Sequence, residues 1–168
     1  MGVTKPEILL TADPALTLPA AGADEIDSVL LRAGIPPHGK YLCFALRNWK
    51  GFADKAPLFG QAAKYAYETY GLTPVFTAVE KHLDPGAGRL AAAGLDIPHY
   101  FLDDAGNAST IIGALSRMRV VVSMRLHALI FAAGQGVPLA GVVYDPKVSA
   151  FLRYIGQENF RALDTLTL

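Results

Sequence analysis

"VVVSMRLHALIFAAGQGVPLAGVVYDPKV" runs from Val120 to Val148, and its reading decides the fold. It opens on a β-branched apolar run and passes into a segment with Leu126, Leu129, Ile130 and Ala133 at helical spacing. It then returns to a second apolar run, "PLAGVVY". Strand, helix and strand in so short a span make a βαβ unit, whose two strands lie parallel. Neither strand alternates apolar with polar residues, as expected of parallel strands covered on both faces.

The same alternation extends in both directions. "EILLTA" (Glu7 to Ala12), "KYLCFALR" (Lys40 to Arg47), "TPVFTAV" (Thr73 to Val79), "PHYFL" (Pro98 to Leu102) and "NFRALD" (Asn159 to Asp164) read as strands. "ADEIDSVLLRAG" (Ala23 to Gly34) reads as a helix, with its acids early, Arg32 late and Gly34 as its stop. "KAPLFGQAAKYAYETYG" (Lys55 to Gly71) reads as a helix with Phe59, Ala62, Ala63, Ala66 and Tyr70 on its inner face. Further helices are expected over Ala87–Gly94, Asn107–Met118, Arg125–Gln135 and Pro146–Gly156, the last with proline at its start. The sum is an α/β domain, a doubly wound Rossmann-like parallel sheet of about six or seven strands.

Such sheets bind ligands outside the carboxyl ends of their strands. Four strand ends carry polar residues there: Arg47, Asn48, Trp49 and Lys50; Glu80, Lys81 and His82; Arg125 and His127; Tyr144, Asp145 and Lys147. A Ser123 N-cap would set Arg125 and His127 in the first turn of a helix. Free amides and the positive end of the helix dipole suit a phosphate or carboxylate at that place, and the guanidinium fork suits the same anions. An imidazole beside them is a candidate general acid. The bland alternative for that pair is a solvated helix start, and for Trp49 a lid over the core. His38, His82 and His99 read as surface residues.

Composition narrows the classes. The chain has 168 residues, 52% of them apolar, and its 15 basic and 15 acidic residues cancel. The basic field of a nucleic-acid binder is missing, so no nucleic-acid partner is expected. A single cysteine, Cys43, rules out a disulfide framework within the chain and a cysteine zinc site. It reads as a small core residue. Histidines without close acidic partners argue against a metal site. The first connection, "TADPALTLPAAG", lacks the glycines of a dinucleotide fingerprint. With no long apolar span and no signal-like start, a cytoplasmic location is the default expectation.

"SMRLHALIFAAGQGVPLAGVVYDPKVSAFL" (Ser123 to Leu152) resembles the signature of the polysaccharide pyruvyl transferase family, and "LLTADPALTLP" (Leu9 to Pro19) and "FALRNWKG" (Phe44 to Gly51) support it. Within that family the chain looks most like the bacterial enzymes that pyruvylate secondary cell-wall polysaccharide, the anchor for S-layer proteins. The resemblance implies the C-terminal half of a glycosyltransferase-B-like enzyme of two Rossmann-like domains, with the N-terminal acceptor half absent from this sequence. It implies transfer from phosphoenolpyruvate to two hydroxyls of a sugar as a cyclic ketal. The acceptor would be a lipid-linked saccharide at the inner face of the membrane, and neither metal nor cofactor would be needed. Carried over, Arg125, His127 and Arg47 hold the donor; His127 is also the candidate catalytic general acid, and Trp49, Tyr144 and Lys147 are further substrate-binding candidates. Two other readings stay open on the residues alone: a nucleotide-sugar glycosyltransferase domain, and a non-catalytic anion- or phosphosugar-binding module.

Overall fold

The computed structural model describes residues 5–7, 9 and 11–167. Its sheet has six parallel strands in the order β3-β2-β1-β4-β5-β6. They are β1 (Tyr41–Ala45), β2 (Thr73–Thr77), β3 (Tyr100–Leu102), β4 (Val120–Ser123), β5 (Leu139–Val143) and β6 (Phe160–Ala162). The helices are α1 (Ala23–Arg32), α2 (Phe52–Tyr70), α3 (Pro85–Ala91), α4 (Ala108–Ser116), α5 (Leu126–Gly134) and α6 (Pro146–Tyr154). This is the expected doubly wound sheet. The chain winds from β1 toward β3, then crosses back and winds from β4 toward β6. The reversal falls between β1 and β4, where Ala45 stands opposite Ser123.

Helices α1, α4, α5 and α6 share one face of the sheet, packing Leu30, Ile112, Leu115, Leu129, Ile130 and Leu152 over Cys43 and Val121. Helices α2 and α3 cover the β1–β3 half of the other face through Phe52, Phe59, Ala63 and Ala91. Under them Phe44, Phe76 and Phe101 stack at 5.4 and 5.6 Å on three neighbouring strands. Each such pair contributes about 0.5–1.5 kcal/mol beyond its burial. The register therefore has a specific aromatic lock on the β1–β3 half.

Local chemistry fixes the helix starts. Asn107 Oδ1 accepts the Thr110 amide at 3.1 Å and Thr110 Oγ1 accepts the Asn107 amide at 3.0 Å, a reciprocal cap for α4. Asp145 caps α6 by accepting the Lys147 amide at 3.0 Å. Helix α2 begins three residues earlier than its sequence pattern predicts, because Gly51 takes a φ of 80° and turns the chain into a helix ahead of Pro57. Its buried face is Phe52, Ala56, Phe59, Ala63 and Ala66; Ala62 and Tyr70 face solvent instead.

The strand expected over residues 7–12 is not seen. Ile8 and Leu10 lie outside the described residues, and Glu7, Leu9, Thr11 and Ala12 carry no strand. A short 3₁₀ helix, Pro14–Thr17, follows instead, capped by Asp13 at 2.9 Å from the Ala15 amide. It lies against α5 so closely that a Cβ on Gly134 would stand 2.5 Å from the Leu16 carbonyl oxygen. This contact explains why the middle of α5, Ala128–Ala132, is buried all round, where the sequence suggests a single stripe. Among the described residues no helix is long and apolar enough to cross a membrane.

Candidate functional site

The site is built at the strand reversal. The Met124 amide donates to the Ala45 carbonyl at 3.0 Å, which carries the β4 ladder one residue past the strand. Ser123 Oγ donates to the same carbonyl at 3.1 Å and accepts the Arg125 amide at 2.8 Å. Ser123 thus ties β4 to β1 and is not the N-cap of α5. Arg125 itself occupies the N-cap position, with extended backbone (φ −84°, ψ 119°), and His127 is the second helical residue. The difference matters. An extended residue and a helical one project differently, so the shared direction expected for Arg125 and His127 is not imposed by one first turn.

Arg125 runs inward. Its side chain is 16% exposed and its Nε lies 3.4 Å from Oδ2 of Asp84, a carboxylate 1% exposed. Asp84 follows the β2 strand end and precedes α3. Its Oδ2 accepts the Glu80 amide at 2.8 Å and the Val79 amide at 3.1 Å. Burial pushes the Asp84 carboxyl above its ordinary value; the Glu80 amide, Arg125, the Val79 amide and Arg47 oppose that in decreasing order. Two atoms of this pair are buried with no hydrogen-bond partner, Asp84 Oδ1 and Arg125 Nη1. Unpaired buried groups of this kind cost about 1–3 kcal/mol each, more when charged, and are few in folded proteins.

His127 is exposed, its ring 6.0 Å from that of Phe131 on the next turn. Among the described residues no hydrogen bond or ion pair joins it to Arg125. Arg47, half-buried at the end of β1, donates from Nη1 toward the Tyr144 hydroxyl at 3.5 Å. Its guanidinium carbon lies 5.3 Å from the Trp49 ring and 5.9 Å from the Tyr144 ring. Trp49 and Tyr144 are themselves 4.9 Å apart. Cation and rings hold each other without a carboxylate, an arrangement worth about 0.5–2 kcal/mol that leaves the charge available to a ligand. Trp49 and Tyr144 also wall a cleft of about 450 Å³ with Lys50, Asp145, Ser149 and Asp164. Lys147 lies outside that grouping, exposed, its Nζ 3.8 Å from Asp145.

The structure thus gathers Arg47, Trp49 and Tyr144 into one cluster and Arg125 with Asp84 into another. It leaves His127 and Lys147 at the surface. Glu80, Lys81 and His82 occupy the β2 end as expected, with Lys81 paired to Asp104 at 3.2 Å. His99, expected on the surface, is half-buried: Phe76 and Phe101 meet its ring edge-on, and its Nδ1 lies 2.8 Å from the Ile97 carbonyl.

Asp84 is the residue that sequence reasoning misses. In "LDPGAG" it looks like a helix cap ahead of a proline, yet its side chain makes no cap and accepts the Val79 and Glu80 amides instead. No spacing in the sequence pairs it with Arg125.

A family model for polysaccharide pyruvyl transferase matches residues 1–146, a span that contains every residue of both clusters. The chain belongs to that family. A search of curated proteins finds no match.

Proposed function

We propose that this polysaccharide pyruvyl transferase chain is the donor-binding half of an enzyme that moves a pyruvyl group from phosphoenolpyruvate to a cell-wall sugar. The observation that carries the reading is the unpartnered, buried Nη1 of Arg125 at the strand reversal, with Arg47 serving the same edge. Phosphoenolpyruvate is small and carries a phosphate and a carboxylate. Two guanidinium groups and the first amides of α5 match that charge better than they match a neutral ligand.

The chemistry follows from the donor. A proton added to the methylene carbon makes an oxocarbenium-like centre at the adjacent carbon. One sugar hydroxyl attacks it and loses its proton. Phosphate then leaves, and the second hydroxyl closes the ketal and gives its proton to the phosphate. The products are the ketal and inorganic phosphate, so the acid is restored in each cycle. His127 is the proton carrier in this scheme, set at the start of α5 and open to solvent, where it can exchange protons. The 450 Å³ cleft walled by Trp49 and Tyr144 lies beside Arg47 and fits a sugar ring, stacked on an aromatic face with its hydroxyls toward Asp145 or Asp164. The acceptor would be a lipid-linked saccharide presented at the inner face of the membrane, its remainder held by a second domain.

Trp49 is the single tryptophan in the sequence, so its fluorescence reports the site directly. Titration with phosphoenolpyruvate should change that emission saturably, and uridine or guanosine diphosphate should not. A response to the nucleotides alone would replace this reading with a nucleotide-sugar glycosyltransferase.

A further inference from the structure

The Arg125–Asp84 pair has a feature that gripping an anion does not explain. The group nearest the guanidinium is a carboxylate, and its two oxygens are unequal. Oδ2 is fully engaged by two backbone amides and by Arg125 Nε. Oδ1 is buried and has no partner, as is Nη1 of the same arginine. An anion that takes Nη1 brings a second negative charge beside Asp84 in a place that solvent hardly reaches. Two like charges cannot both be held there at low cost.

The surrounding charges oppose protonation of Asp84 but do not outweigh its burial. Arg125 from the β4–α5 junction and Arg47 from the β1–α2 loop favour the ionised carboxylate. From the end of β3, Asp103 borders the same closed crevice as Asp84, and Arg89 of α3 is already committed to Asp103 at 3.0 Å. Glu80 on the β2–α3 loop gives Asp84 its amide, while its own carboxylate takes the His82 amide at 3.5 Å. Burial already raises the proton affinity of Asp84 before any ligand arrives.

We infer that anion binding at Arg125 is coupled to the uptake of one proton by Asp84. The proton comes from bulk water and settles on Oδ1. The unpartnered acceptor thereby becomes an O–H donor aimed at an oxygen of the incoming anion, while Oδ2 keeps its amides and Nε. One step partners both orphaned atoms: Nη1 and the new O–H each meet the ligand. Asp84 is then a ligand-contacting residue that reads the charge of the occupant. A monoanion would gain less from the exchange than a dianion.

The inference rests on the proposal that an anion occupies this edge, but not on which anion. The test is calorimetric titration of the chain with sulfate, a dianion that does not titrate near neutral pH, and separately with phosphoenolpyruvate. Each is run at one pH in two buffers of different ionisation enthalpy. The expected result is a buffer-dependent heat equivalent to the uptake of up to one proton per sulfate, lost in Asp84→Asn. Sulfate binding with no buffer-dependent heat, or an equal uptake in Asp84→Asn, would overturn the coupling and leave the anion site standing. Absence of binding by either anion would overturn both. Should Asp84→Asn fail to fold, the wild-type chain still decides. Its sulfate Kd should rise by up to tenfold per pH unit through the titration of Asp84, and a flat profile would overturn the coupling.

Discussion

The two edges of the sheet make an instructive pair. At the amino edge lies the larger hollow, about 710 Å³, lined by Leu16, Val137, Leu139, Ala140, Gln157, Asn159 and their neighbours, with no charged side chain among them. At the carboxyl edge the hollows are smaller, yet Arg47, Arg125 and Asp84 gather there, with His127 exposed at the same edge. Size does not mark the site. In a parallel α/β sheet every helix that follows a strand starts at the carboxyl edge, so the positive dipole ends and free amides collect there. Helices end at the other edge, where the field favours cations, and Arg32 and Arg153 stand in the last turns of α1 and α6. The same winding that builds the core therefore makes one edge receptive to anions.

The largest effect is expected at His127. In an active preparation of the enzyme, His127→Ala should lower turnover by about 10²–10⁴-fold. The unfolding midpoint should hold, since the side chain is exposed. Steady-state rates with thermal melts check this, and a normal rate would remove His127 from the chemistry. Next in size is Arg125→Ala, which should raise the phosphoenolpyruvate Kd by about 10–100-fold, the scale of a charged hydrogen bond left unmade. Asn159→Ala at the amino edge should leave that Kd alone. Equal effects in calorimetry would erase the distinction between the edges.

Gly134→Ala should act on the fold and not on the anion site. Its new methyl meets the Leu16 backbone carbonyl, which has little room to give. Stability should fall by about 1–3 kcal/mol in chemical denaturation while donor affinity is kept. A neutral result would mean that the 3₁₀ segment does not hold α5.

A smaller effect is the pH dependence of folding. The folded Asp84 binds its proton more tightly than the unfolded one, so the native state carries more of that proton between the two pKa values. Stability should therefore fall as pH rises from the ordinary carboxylate range through the folded-state value, and Asp84→Asn should flatten that slope. Denaturant midpoints against pH measure it; a rise across that window would contradict the assignment. Smallest is the response of Cys43, whose thiol is fully buried against Thr77 at 3.4 Å and pushed up to about 12. It should stay unreactive to a thiol reagent until the chain unfolds.

Much of this was legible in the residues. The parallel sheet could be read because "YLCFAL" and "VVVS" are apolar without alternation. Its polar edge could be read because Arg47, Arg125 and Tyr144 each stand where an apolar run stops. Three things were not legible, for physical reasons. The start of α2 depends on a positive φ at Gly51, which composition cannot show. Ser123 is pulled into the sheet by the Ala45 carbonyl, a partner 78 residues away, so local capping rules misplace it. The Asp84–Arg125 pair joins two loops on different sides of β1, and only the folded strand order brings them together. Long-range electrostatic pairing is what a local pattern cannot encode.

The central claim is that the carboxyl edge receives the anionic donor at the β1–β4 reversal. The most direct measurement is a ¹⁵N–¹H correlation titration of the chain with phosphoenolpyruvate. The largest amide shifts should fall at Leu46–Lys50, Val79–Asp84 and Arg125–Ala128. Shifts centred on Gly136–Ala140 and Asn159, or spread without a centre over surface lysines, would contradict it.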